Sequence, residues 1–302
     1  MAVTAQMVKE LREATGAGMM DCKKALTEAE GDMERAIDIL REKGLSKAAK
    51  KADRVAAEGL VTIKTNEDNT AAAIVEVNSE TDFVAKNEDF KVFVNDVVEM
   101  ALDGSAENVA ELLEVEHKEG KALQDILNDK IAKIGEKLDI RRFEKISTNG
   151  KMAGYIHGAG KIGVIVELDT DSNDDKIFEL GKDVAMQIAA MNPKYISRED
   201  VDQDYIAHET EVLKQQALNE GKPANIVEKM VVGRLNKELK EVCLLDQVFI
   251  KDSEITIGKL IEKVAKEVAS PIKISRMVRY EVGEGIEKKQ ECFLEEVAKQ
   301  MN

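Results

Sequence analysis

Two glycine-rich stretches are the first places where residue type and spacing could hold a phosphate. Gly158-Ala159-Gly160-Lys161 carries a Gly-Lys pair, but a phosphate-binding loop also needs Ser or Thr after the lysine and a glycine five residues before the second one. Ile162 and Tyr155 stand at those places, so the stretch reads as a hairpin turn. Gly16-Ala17-Gly18 does not follow a strand, which a dinucleotide fingerprint requires, and reads as a helix-ending turn. His117, His157 and His208 fall in different predicted elements, and none joins the closely spaced set that zinc requires. Cys22, Cys243 and Cys292 sit in helical patterning, where a small buried apolar residue is the commoner role. Ser197 and Ser270 have no nucleophile elbow or fixed base, and the carboxylates are spread along helix faces. These residues predict no catalytic site, no metal and no cofactor.

One segment differs from its surroundings. Glu76-Val77-Asn78-Ser79-Glu80-Thr81-Asp82-Phe83-Val84-Ala85-Lys86-Asn87 crosses from a strand into a helix, with polar capping residues directly before an aromatic in the first turn. Helical periodicity turns Phe83 inward with Phe90; a place at the lip of the core would turn it outward. Spacing alone leaves both open.

Positioning these residues falls to a chain of 302 amino acids, long enough for two or three modules with cores of their own. A net charge of −15 argues against general nucleic-acid binding, and 4% aromatic content leaves few platforms for stacking bases. No apolar run reaches the ~18 residues of a membrane helix. Three scattered cysteines and the lack of an apolar core in Met1 to Lys9 predict a reducing, cytoplasmic setting.

Residues 1–54 carry eleven Lys or Arg and ten Asp or Glu, so almost all the negative charge lies after them. Three short helices are predicted there. The first is capped by Thr4 and leads to Val8 and Leu11; the second is Met19 to Ala29 with Cys22, Ala25 and Leu26 inward; the third is capped by Asp32, before Met33, Ala36, Ile37 and Leu40. Leu45 to Arg54 continues as a helix or stiff linker, with Lys47, Lys50, Lys51 and Arg54 at helical spacing, which puts four charges on one face, either a solvated stripe or a docking surface for an acidic partner. Beyond Glu58 the period changes. Leu60–Ile63 and Ala73–Val77 around Asn66-Glu67-Asp68-Asn69 make a hairpin, followed by a helix from Thr81 to Met100 and another from Leu123 to Leu138. Tyr155–His157 and Gly163–Leu168 repeat the hairpin, and Asp174 to Met191 repeats the helix, which predicts a duplicated α+β core. Ser197 and Asp200 resemble a capping box opening a helix to Leu218, and Pro223 opens a second to about Glu241. Their tight connection makes them an antiparallel pair, with Tyr205, Val212, Leu213, Ile226, Met230, Leu235 and Leu239 inward. A helix from Ile257 to Ala269, a strand from Ile274 to Val282 and a terminal helix from Ile286 to Met301 complete the chain.

Leu11 to Leu26, with Glu13-Ala14-Thr15-Gly16-Ala17-Gly18-Met19-Met20-Asp21-Cys22-Lys23-Lys24 at its centre, resembles the N-terminal signature of the bacterial elongation factor Ts family, and Glu76 to Lys86 resembles its second signature. Lys47-Ala48-Ala49-Lys50-Lys51-Ala52, His157 to Val164 and Glu281 to Glu287 extend the resemblance over essentially the whole chain. It implies an N-terminal module similar to ubiquitin-associated domains (1–54), a core of two related halves (55–140 and 141–282) with a helical hairpin projecting at about 197–241, and a C-terminal helix (283–302). It also implies exchange of guanine nucleotide on elongation factor Tu, without catalysis of any bond change. By resemblance Thr81, Asp82, Phe83 and Val84 disturb the Mg²⁺ and phosphate site of that partner, with Phe83 turned outward. Leu11, Arg12, Thr15, Gly16, Met19, Met20, Lys23 and Lys24 grip its surface, and the hairpin is a candidate contact for a homodimer. The competing expectations are an interaction scaffold without effect on nucleotide and an enzyme whose site is not apparent in these motifs.

Overall fold

The computed structural model describes residues 3–15, 17–221 and 223–287. They fall into two compact units: the described residues of Met1–Thr62, Val75–Glu144 and Glu281–Asn302, and those of Ile63–Ile74 and Lys145–Tyr280.

The first unit begins with α1 (Ala5–Thr15), α2 (Met19–Glu28) and α3 (Met33–Ala49). Thr4 Oγ1 accepts the Met7 N–H at 3.2 Å and Asp32 Oδ1 accepts that of Arg35 at 3.0 Å, so both expected caps form. Val8, Leu11, Cys22, Ala25, Leu26 and Ala36 make a small core. Ile37, expected inward, is exposed, and Ile39 packs in its place beside Leu40. α3 stops at Ala49, and i→i−3 bonds turn the chain through Arg54. Regular helical spacing therefore ends before Lys50, and Arg54 meets Glu80 at 3.2 Å.

Strands β1 (Glu58–Thr65), β2 (Ala71–Ser79) and β3 (Leu138–Ser147) form a sheet in that order. Asn66 shapes the β1–β2 turn, its Oδ1 accepting from the Thr70 and Ala71 backbones at 2.8 and 2.9 Å, while Asn69 takes a left-handed φ of 55°. After β2 come α4 (Asp82–Ala85), α5 (Glu88–Asp103), α6 (Val109–Glu114) and α7 (Leu123–Ile134). The expected helix from Thr81 is thus two helices, because Asn87 leaves helical geometry and caps α5 by accepting the Asp89 N–H at 2.8 Å. Phe90, Phe93, Val94 and Val97 form the buried stripe of α5. α7 likewise ends earlier than expected: Gly135 takes φ 87°, and Leu138 opens β3, a strand absent from the sequence reading. α3 packs on α7 through the Arg41–Asp125 ion pair and the approach of Gly44 to Ala132.

In the second unit β4 (Lys151–His157) and β5 (Ile162–Asp169) pair antiparallel, with Gly154 opposite Ile165. Gly158, Ala159 and Gly160 all have positive φ, and the Gly-Ala-Gly-Lys stretch is the expected hairpin turn. α8 (Asp175–Met191) packs on β4 and β5, capped by Asp174 and ended by left-handed Asn192 before Pro193. Ser197 and Asp200 do form a capping box, but it closes a single 3-10 turn, and α9 (Gln203–Asn219) starts separately. α10 (Ala224–Val242) runs back along α9, with Ala217, Val227 and Val231 buried between them near the hairpin tip. Ile226, expected inward, is exposed beside them. β6 (Val248–Phe249), β7 (Asp252–Thr256), α11 (Ile257–Glu267) and β8 (Lys273–Glu281) complete the unit, with sheet order β4-β5-β8. The expected terminal helix lies outside the described residues from 288 onward, and Cys292 with it.

Candidate partner-binding site

The last residues of β2 and the first of α4 hold the segment that the sequence singles out. Asn78 and Ser79 are fully buried, and Ser79 Oγ donates to the Thr81 carbonyl at 2.9 Å. Thr81 has extended geometry at φ −124° and precedes α4. Its side chain caps nothing within that helix. Instead its N–H and hydroxyl donate to the two oxygens of Glu136, at 3.0 and 2.8 Å. Glu80 answers in the other direction, accepting the Lys137 N–H at 2.6 Å. Two carboxylates therefore clasp the start of α4 to the chain just after α7.

What that clasp presents is an aromatic in water. Val84 is 8% exposed and anchors α4 to the core, whereas Phe83 beside it is 78% exposed. The inward orientation expected from periodicity alone is overturned, because the helix breaks after Ala85 and Phe83 is not in phase with Phe90. Lys86 lies over the result: its ammonium is 5.9 Å from the Phe83 ring centre and 2.6 Å from Asp82 Oδ2. Phe83 is thus a single exposed aromatic flanked by Thr81, bonded to Glu136, and the buried Val84.

In the N-terminal module Met19 and Met20 are 59% and 63% exposed, next to exposed Lys23 and Lys24 at the start of α2, and Arg12 is exposed on α1. Leu11 is different: it lies fully inside the module and supports this surface without being part of it. Thr15 donates its hydroxyl to the Leu11 carbonyl at 2.7 Å and accepts the Ala17 N–H, ending α1. Gly16 lies outside the described residues. Local pattern does not single out Glu136, because the apolar stripe of α7 extends in phase to Leu138; Gly135 directly before it is the available signal of a helix end.

Other candidates do not assemble. His117 is buried against Asp96 at 3.3 Å and His157 meets Tyr155 at 3.1 Å, in separate units. Among the described residues no group of three His, Cys, Asp or Glu is placed to hold a metal, and no helix is long and apolar enough to cross a membrane.

Residues 80–284 match the family profile described as Elongation factor TS. The chain belongs to the elongation factor Ts family. Curated relatives of that name agree over nearly their full length. The protein of Clostridioides difficile is 71% identical over 299 residues, covering 99% of both chains. Those of Clostridium novyi and Clostridium acetobutylicum are 56% identical, covering 98–99% of each chain. The mixed α+β architecture, with three helices before the sheets, is that of an elongation factor Ts, and the Thr81–Val84 element lies at the beginning of the matched region.

Proposed function

We propose that this chain is the guanine-nucleotide exchange factor of elongation factor Tu, working in the cytoplasm, and that the Thr81–Val84 element drives release of GDP. The observation that carries the reading is Phe83, exposed on a one-turn helix whose neighbours Thr81 and Val84 are both anchored. No bond is made or broken. A bound guanine nucleotide is held largely through its phosphates and the Mg²⁺ that bridges them to the GTPase, so loosening the Mg²⁺ shell removes the largest local charge in the site. Phe83 enters the GTPase domain as an apolar wedge, and Asp82 disturbs the polar network around the ion. Thr81 and Val84 hold the two at a fixed angle. Met19, Met20, Arg12, Lys23 and Lys24 supply a second grip through the N-terminal module.

Linkage sets the scale. Whatever lowers nucleotide affinity lowers the affinity of the factor for the nucleotide-bound partner by the same ratio. A ~10⁴-fold weakening corresponds to about 5.5 kcal/mol, while burying one aromatic supplies about 1.5–3 kcal/mol. The wedge must therefore act from a broad anchored interface, and its loss should impair exchange more than docking. Release of a fluorescent GDP analogue from elongation factor Tu tests this, with the parent and an Asp82→Ala, Phe83→Ala double variant alongside a binding assay. Fast release with the parent and slow release with retained binding in the variant support the proposal. No acceleration by the folded parent leaves the scaffold reading; equal losses of binding and exchange remove the wedge.

The helical hairpin enters the proposal as a contact between two copies of the chain. Leu218, Ile226 and Val232 each stand exposed on α9 and α10. Light scattering of the parent and of Val232→Asp tests the contact: a dimer that dissociates in the variant supports it, and a monomeric parent overturns it.

A further inference from the structure

We infer that Glu136 is a positioning residue for exchange, holding the Thr81–Val84 element in its outward-facing form. The inference rests on the exchange reading above and adds to it a residue from a distant part of the chain. A helix of four residues is too short to be stable alone, since forming a first turn is unfavourable and its leading N–H groups lack partners. A Thr before such a turn ordinarily accepts an N–H from within the helix. Thr81 makes no such cap, and its hydroxyl donates to Glu136 Oε1 at 2.8 Å while its N–H donates to Oε2 at 3.0 Å. The hydroxyl is thus used to fix where the turn sits rather than to stabilise the helix within itself. Both bonds end on one carboxylate, which makes each charge-assisted and fixes direction as well as distance. Glu136 is itself placed by the left-handed Gly135 that ends α7 and by the Lys137 N–H held on Glu80 at 2.6 Å. Val84 then anchors the inner side of α4, so that Phe83 has only the outward side left.

The experiment compares the full chain with Glu136→Ala and Glu136→Gln. Glutamine preserves two bonds, because its amide oxygen accepts the Thr81 N–H and its amide nitrogen donates to the Thr81 hydroxyl, whose role reverses. With elongation factor Tu carrying a fluorescent GDP analogue, Glu136→Ala should lower the saturating release rate about tenfold, with the half-saturating concentration within about twofold of the parent. Glu136→Gln should restore most of the rate. Hydrogen exchange on the free chain gives a second readout: peptides over residues 80–87 should exchange about tenfold faster in Glu136→Ala, while those from the middle of α5 stay as in the parent. An unchanged saturating rate in Glu136→Ala, or unchanged exchange at 80–87, overturns the inference. So does an equal loss of rate and affinity with faster exchange throughout α5, which marks general unfolding. If the parent itself does not accelerate GDP release, the exchange reading fails, while hydrogen exchange still decides whether Glu136 orders the element.

Discussion

The backbone N–H of Gly283 donates to Glu76 at 2.8 Å, joining the end of the described chain to a carboxylate 207 positions earlier. Glu76 is completely buried in the first unit, and Arg142 and Arg141 meet its two oxygens at 2.6 and 3.0 Å. Gly283 is suited to the contact: at φ 73° it takes the left-handed backbone, and a Cβ there would strike the Ala57 carbonyl. Burial alone pushes the Glu76 carboxyl pKa up, but the Gly283 N–H and the Arg142 and Arg141 guanidiniums outweigh it and hold the group below its ordinary 4.5. A depressed carboxylate stabilises the fold fully above that ordinary value, and the contribution is lost as pH falls through the lower folded value. Glu76→Gln should lower stability by about 2–4 kcal/mol at neutral pH, and by less in acid. Urea unfolding at both pH values measures it; an equal loss in acid and at neutrality would contradict the assignment.

Phe83 and Val84 are adjacent but should respond in opposite ways. Phe83→Ala removes a ring already in water and should change stability by less than about 0.5 kcal/mol. Val84→Ala opens the core under α4 and should lower stability by about 1–2 kcal/mol. Thermal unfolding of the two variants separates an exposed functional ring from a structural anchor.

How much of this could be read from the residues differs from element to element. The caps at Thr4 and Asp32, both hairpins, α8 with its Asn192-Pro193 end, and the antiparallel α9–α10 pair follow from local signals, because each is decided within a few residues. The break at Asn87 is not legible, since one continuous helix satisfies the apolar pattern equally well. β3 was hidden for the same reason: Leu138 fits the stripe of α7 until Gly135 is recognised as left-handed. The outward Phe83 follows from resemblance rather than periodicity, and Glu136, which holds Thr81, lies 55 residues from it, a distance at which no local pattern speaks.

Two helical glycines predict opposite signs. A Cβ on Gly181 would lie against the Ala153 Cβ and 2.8 Å from Leu168 Cδ1, lifting α8 from β4 and β5, so Gly181→Ala should destabilise by about 1–3 kcal/mol. Gly233 in α10 has open space around it, and Gly233→Ala should stabilise by about 0.5–1 kcal/mol. Chemical denaturation of both variants checks the pair.

In the N-terminal module, Met19→Ala with Met20→Ala should weaken elongation factor Tu binding by about tenfold without lowering the melting temperature, since both side chains are exposed. Leu11→Ala should melt the module itself, at about 2–4 kcal/mol. Calorimetric titration and thermal unfolding read the two effects separately; a lowered melting temperature in the methionine variant would assign those residues to the fold instead.

The brevity of α4 also bears on mimicry. Four residues between a buried strand end and a capped helix have no internal means of keeping their shape, so a synthetic peptide copying Glu76 to Asn87 would contain every letter of the motif and almost none of its form. A mimic of the element would have to reproduce a bracket, the neighbouring loop with its carboxylate and the core beneath Val84, before the aromatic tip could take its place.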